Sequence, residues 1–215
     1  MSNEKESVNK YNKKEHYQKI VNKSLESAIL LNKIIRGKSV EDYSDEEMSE
    51  AIRVQADIVS YEEIKEWCDN FGYDVTEELD ACCDVLYTVP YLHYLIDEAR
   101  KRENVMVNHK RIALVTTMAN LVLSNLMLGS DGTYNLIEEA VDRVIENNMA
   151  KVTTSKAEFK KWKAPANEHL TKSIVVVDDV TYYMLKNEHG KVRKREGFPT
   201  VELGDLLEKH LNVKD

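Results

Sequence analysis

Apolar residues recur at helical spacing along most of the first 150 positions. Tyr17, Ile20, Val21, Leu25, Ala28, Ile29 and Ile35 predict one long helix over Tyr11–Ile35, behind a polar, frayed start at residues 1–10. Gly37 ends it. Ser44, with Glu47 three residues later, has the capping-box pattern and opens a second helix through Ile52, Ala56, Val59, Glu63 and Glu66, which stops at Asn70–Gly72. Thr76 caps a third helix that runs to Pro90 or beyond, into Tyr91–Arg100. Residues 101–108 read as a connection. A fourth helix covers His109–Leu128, a turn Gly129–Thr133, and Thr133 caps a fifth helix over Tyr134–Asn147.

After Lys163 the pattern changes. Ile174–Val177 and Val180–Leu185 are β-branched and aromatic, Asn187–Gly190 is a turn, and Lys191–Arg195 pairs back as a hairpin. Val201–Leu211 returns to a short helix. The expected fold is therefore mainly α, an antiparallel helical bundle over residues 1–163 with a small C-terminal β-hairpin arm and terminal helix over 164–215, all one domain. With Gly 7 and Pro 3 in 215 residues, long helices fit better than a sandwich or barrel.

Charge narrows the partners. Asp+Glu 38 against Lys+Arg 30 gives a net charge of -8, which disfavours nucleic acid. The apolar stretch Ala113–Leu128 is broken by Thr116, Thr117, Asn120, Ser124 and Asn125, so it reads as a buried helix and not a membrane span. Cys68, Cys82 and Cys83 show no CxxC spacing and read as reduced core thiols. With no apolar leader at Met1–Lys5, a cytoplasmic setting is expected. The six histidines show no metal spacing and read as structural or surface residues. Trp67 and Tyr87 read as core.

The candidate chemistry lies in the acids. Glu62, Glu63 and Glu66 precede the turn at 70–72, and Glu77, Asp80 and Asp84 follow it. Spacings of three and four put such carboxylates in one stripe per helix. Stripes like these commonly face water. Here, however, Asp80-Ala81-Cys82-Cys83-Asp84-Val85-Leu86-Tyr87 sets acids among small and apolar residues, where a buried charge needs a partner. Two antiparallel helices meeting through the stripes collect hard oxygen ligands suited to Mg²⁺ or Mn²⁺.

These residues resemble the all-α NTP pyrophosphatase superfamily, the MazG-like and phosphoribosyl-ATP pyrophosphohydrolase-like enzymes. Glu63-Ile64-Lys65-Glu66 matches its ExxE helix, and Asp80–Val89 its second acidic helix. Asn147-Asn148-Met149-Ala150-Lys151, Gly190-Lys191-Val192-Arg193-Lys194 and Phe198-Pro199 match motifs of phage-type members. The resemblance spans about residues 50–203. The strict ExxD form is absent at Asp84 but present as Glu77…Asp80, so which of Glu77, Asp80 and Asp84 meets metal stays open. Residues 97–131 look like an insertion.

The resemblance implies a Mg²⁺-dependent hydrolase that cleaves a nucleoside triphosphate to monophosphate and pyrophosphate. Glu63, Glu66, Asp80 and Asp84 would be metal ligands, and Glu62 or Glu63 the base. Asn148, Lys151, Lys191 and Lys194 would contact substrate, and the chain would form a dimer or tetramer. Lys151 also suits a plain helix C-terminal cation, and Lys191–Arg195 a solvated hairpin. The alternative is a non-catalytic helical interaction protein, such as a phage structural or host-inhibitory component.

Overall fold

The computed structural model describes residues 2–127 and 131–211. It is mainly helical, with a small antiparallel sheet towards the C-terminus. The first helix, α1, runs Ser2–Arg36, so the helical backbone includes the start expected to fray. Its spacing turns Ile20, Ala28, Leu31 and Ile34 into the core. Gly37 ends it: its N–H donates to Lys33 O at 2.8 Å, and its φ of +74 is left-handed. A Cβ there would also lie 3.1 Å from Val175 Cγ1.

After a 3₁₀ turn at Val40–Asp42, α2 (Asp45–Asp57) begins with the expected capping box. Glu47 N–H donates to Ser44 Oγ at 3.2 Å, and Ser44 N–H to Glu47 Oε2 at 2.8 Å. The next element was not anticipated. Ile58–Glu63 is π-helical and feeds directly into α3 (Ile64–Asn70).

Asp74, and not Thr76, caps α4, accepting from Thr76 N at 3.0 Å and Glu77 N at 3.1 Å. A carboxylate at the cap also favours the helix dipole. Helix α4 (Val75–Ala99) passes through Pro90 and is the central rod, packed by α1, α2, α3, α5 and α6. α5 covers His109–Met127 and buries Val115, Ala119, Val122 and Leu123, while Leu114 and Leu121 are 61% and 62% exposed. α6 covers Asp131–Met149, so Thr133 lies inside it and caps nothing. Leu128, Gly129 and Ser130, from the expected helix end and turn, lie outside the described residues.

β1 (Val152–Thr153), the short α7 (Lys156–Phe159), β2 (Thr171–Val177), β3 (Val180–Lys186) and β4 (Val192–Arg193) follow. The sheet order is β1-β3-β2, with β4 also on β3. Asp178 and Asp179, both at positive φ, make the two-residue turn between β2 and β3. The segment expected to pair back does so through Leu185↔Arg193 and Lys186↔Val192. β1 and α7 had no sequence signal long enough to read.

Leu31 and Ile34 of α1 pack with Val152, Met184 and Val192, seating the sheet on α1. Lys33 Nζ grips Asp178 at 2.7 and 2.9 Å, and Lys186 Nζ donates to Ile35 O at 2.8 Å. α8 (Gly204–Leu211) closes on α6, with Leu206 and Leu207 buried and Arg143 paired to Asp205. Cys82 and Cys83 are buried, but Cys68 is exposed on α3, so only two of the three are core thiols. No helix among the described residues is long and apolar enough to cross a membrane.

Candidate metal centre

Three elements bring the acids together. Glu63 closes the π-helical segment, Glu66 lies in the first turn of α3, and Asp84 projects from α4. One oxygen from each lies within 4.8 Å of the others. The π-helical insertion shifts the phase of every side chain after it relative to α2, which lets α2 pack on one face while Glu63 and Glu66 turn towards α4. Ser60 Oγ, inside this segment, donates to Ala56 O at 2.7 Å.

Of the three α4 acids that the motif left open, Asp84 joins Glu63 and Glu66. Asp80, one turn earlier, stands beside Glu66 and Glu77, outside the trio. Its Oδ1 is buried without a hydrogen-bond partner. Burial first, then the charges of Glu66 and Glu77, push its carboxyl up to about 6.

Burial also raises Glu63 and Asp84, Glu63 next through Asp84, Glu62 and Glu66, and Asp84 next through Asp80. Glu66 is raised by burial and by Glu77. No side chain among the described residues donates a hydrogen bond to the carboxylates of Glu63, Glu66 or Asp84, and none forms an ion pair with them. Several acids elsewhere are matched: Glu47 with Lys38, Glu168 with Arg193, Glu139 with Lys209. Three close carboxylates lacking donors repel one another unless protons or a cation intervene. The donor set is all carboxylate oxygen, which fits Mg²⁺ or Mn²⁺ and not a thiolate- or imidazole-preferring metal.

The other expected site residues line the same wall or its rim. Lys151, just past the end of α6, is largely enclosed. Burial lowers its pKa, opposed by Asp84 and Glu63, and it donates to Asn148 Oδ1. Asn148 Nδ2 donates back to Val144 O at 3.1 Å, so the amide presents its oxygen to the lysine. Lys191 crosses from the arm to Glu62, with Nζ 2.8 Å from both oxygens. Lys194 is exposed, 5.3 Å over the Phe198 ring, and its charge reaches Glu66, Asp80 and Asp84.

Glu62, Glu63, Glu66, Asp84, Asn148, Lys151 and Lys191 line one cleft of about 760 Å³. Asp80 and Lys194 do not line it. The same cleft takes in Asn32, Arg36, Gln55, Tyr91 and His189, none of which the sequence singled out. His189 sits in the β3–β4 turn, so one of six histidines read as structural or surface residues borders the site. Tyr87, read as core, is buried and also borders it.

No family model matches the chain, and no curated protein or solved structure matches it. The functional reading therefore rests on this geometry and on the motif resemblance.

Proposed function

We propose that the protein is a Mg²⁺-dependent nucleoside triphosphate pyrophosphohydrolase of the all-α type, cleaving a (d)NTP to (d)NMP and pyrophosphate. The observation that carries this reading is the trio Glu63, Glu66 and Asp84, with oxygens within 4.8 Å and no donors, on the wall of a cleft that also holds Lys151. A cleft lined by acids alone repels a triphosphate. Acids that hold a cation, next to lysines, accept one.

Glu63, Glu66 and Asp84 would hold Mg²⁺, or Mn²⁺ in its place, with Asp80 beside them. The ion would neutralise phosphate charge and acidify a water. Of the two bases named from sequence, Glu63 would act only through an oxygen that does not hold the ion. Both Glu62 oxygens are taken by Lys191, whereas Glu63 accepts no side-chain hydrogen bond among the described residues. Lys151, oriented by Asn148, supplies fixed positive charge deep in the cleft, and Lys191 supplies it from the arm. Phosphate binding competes with Glu62 for Lys191.

Purified protein incubated with Mg²⁺ and a nucleotide panel tests the proposal. Pyrophosphate is the expected product. Orthophosphate with diphosphate, or no turnover of any nucleotide, overturns it.

A non-catalytic interaction protein is the second reading, favoured by the exposed Leu114, Leu121 and Met106. It predicts no stabilisation of the melt by divalent cations. The same α5 face suits a homodimer or tetramer of the enzyme. The unpaired cysteines suit a cytoplasmic setting.

A further inference from the structure

Away from the acid trio, the cleft is walled by Ala28, Ile35, Val54 and Tyr91, and two side-chain amides there are built alike. Gln55, only 7% exposed, donates through Nε2 to Thr88 O at 2.9 Å. Asn32 donates through Nδ2 to Ala28 O at 2.9 Å. A backbone carbonyl can only accept, so each contact fixes which end of the amide is oxygen. Neither Gln55 Oε1 nor Asn32 Oδ1 accepts a hydrogen bond among the described residues. Neither is among the sealed, unpartnered polar atoms of the fold, and both residues line the cleft. An amide this deeply buried, with a free acceptor, is poised for a donor.

We infer that this end of the cleft takes the base of the nucleotide, and that Gln55 and Asn32 select bases carrying an exocyclic amine. The inference rests on the nucleotide chemistry proposed above. Tyr91 and the aliphatic side chains cover the faces of a base, while the two oxygens accept from its amine. Arg36, at the same end with its guanidinium 5.2 Å over the Tyr43 ring, can donate to the acceptor beside that amine. An oxo base instead sets a carbonyl oxygen against an amide oxygen, two acceptors with no proton between them. Gln55 precedes Glu63 by eight residues, about two turns of helix that include the π-helical Ile58–Glu63. That separation leaves room for a ribose between base and acid trio.

Amino and oxo partners of one nucleotide, dCTP with dUTP and ATP with ITP, provide the test in two assays. One is pyrophosphate release with Mg²⁺, and the other is calorimetric binding of their α,β-methylene analogues. The amino partner should be favoured at least about tenfold in kcat/KM and in Kd. Gln55→Leu should bring both ratios close to one. Equal or reversed preference in the wild-type protein overturns the inference, so a variant that misfolds does not decide the matter. Preference retained in folded Gln55→Leu and Asn32→Leu proteins also overturns it. Pyrophosphate release without base preference sinks this inference alone. Amino-selective binding without hydrolysis sinks only the hydrolase reading, and absence of nucleotide binding sinks both.

Discussion

Replacing Glu66 by glutamine keeps the side chain's volume and removes one negative oxygen donor from the trio. Pyrophosphate release should fall to background. The melting temperature should move by less than about 2 °C, because no hydrogen bond or ion pair of the Glu66 carboxylate is lost. A large drop in the melt would make the residue structural. Glu63→Gln should move the melt further: with EDTA at pH 8, replacing a carboxyl whose proton uptake burial, Asp84 and Glu62 force in the folded chain should raise the melting temperature while turnover disappears. These roles were half legible. The ExxE spacing named Glu63 and Glu66, but choosing Asp84 over Asp80 required the rotation of α4 against α3, which no local spacing contains.

At the scale of the element, Glu63, Asp80 and Asp84 all hold a proton more tightly in the folded chain than in the unfolded one. Above the ordinary carboxylate range the folded state therefore binds more protons. The metal-free stability should fall from about pH 5 towards pH 9. Lys151, shifted down, works against this at the alkaline end. Mg²⁺ should flatten the decline, read as a pH series of thermal melts with and without the ion. The caps carry ordinary stability: Ser44→Ala should cost about 1 kcal/mol, or about 2–4 °C, by breaking the box at the start of α2. Ser44 with Glu47 was readable because both partners lie within one turn. The cap of α4 was misplaced by two residues because Thr76 and Asp74 are both good caps, and only the backbone geometry shows which oxygen faces free N–H groups. The π-helical segment left no signature, since Ile58–Glu63 has the composition of any amphipathic helix.

Over the whole molecule, the exposed Leu114 on α5 carries the oligomer prediction. Sedimentation of the wild type above 24.8 kDa, reduced to that mass by Leu114→Glu, is expected if α5 joins subunits. The apolar run Ala113–Leu128 had two readings, core filler and interface, and α5 serves the first on one side while leaving the second open on the other. By itself the sequence determined a mainly helical chain, its principal breaks, the hairpin arm and the acid-rich pair of segments. Those follow from periodicity, capping and turn chemistry, all set by neighbours within a few residues. Tertiary structure alone decided which acids meet, that Glu62 is held by Lys191 from 129 residues away, and that Asn32 and Gln55 open onto the same cleft. Such pairings come from how helices and sheet pack, and packing depends on the shape of every buried side chain at once.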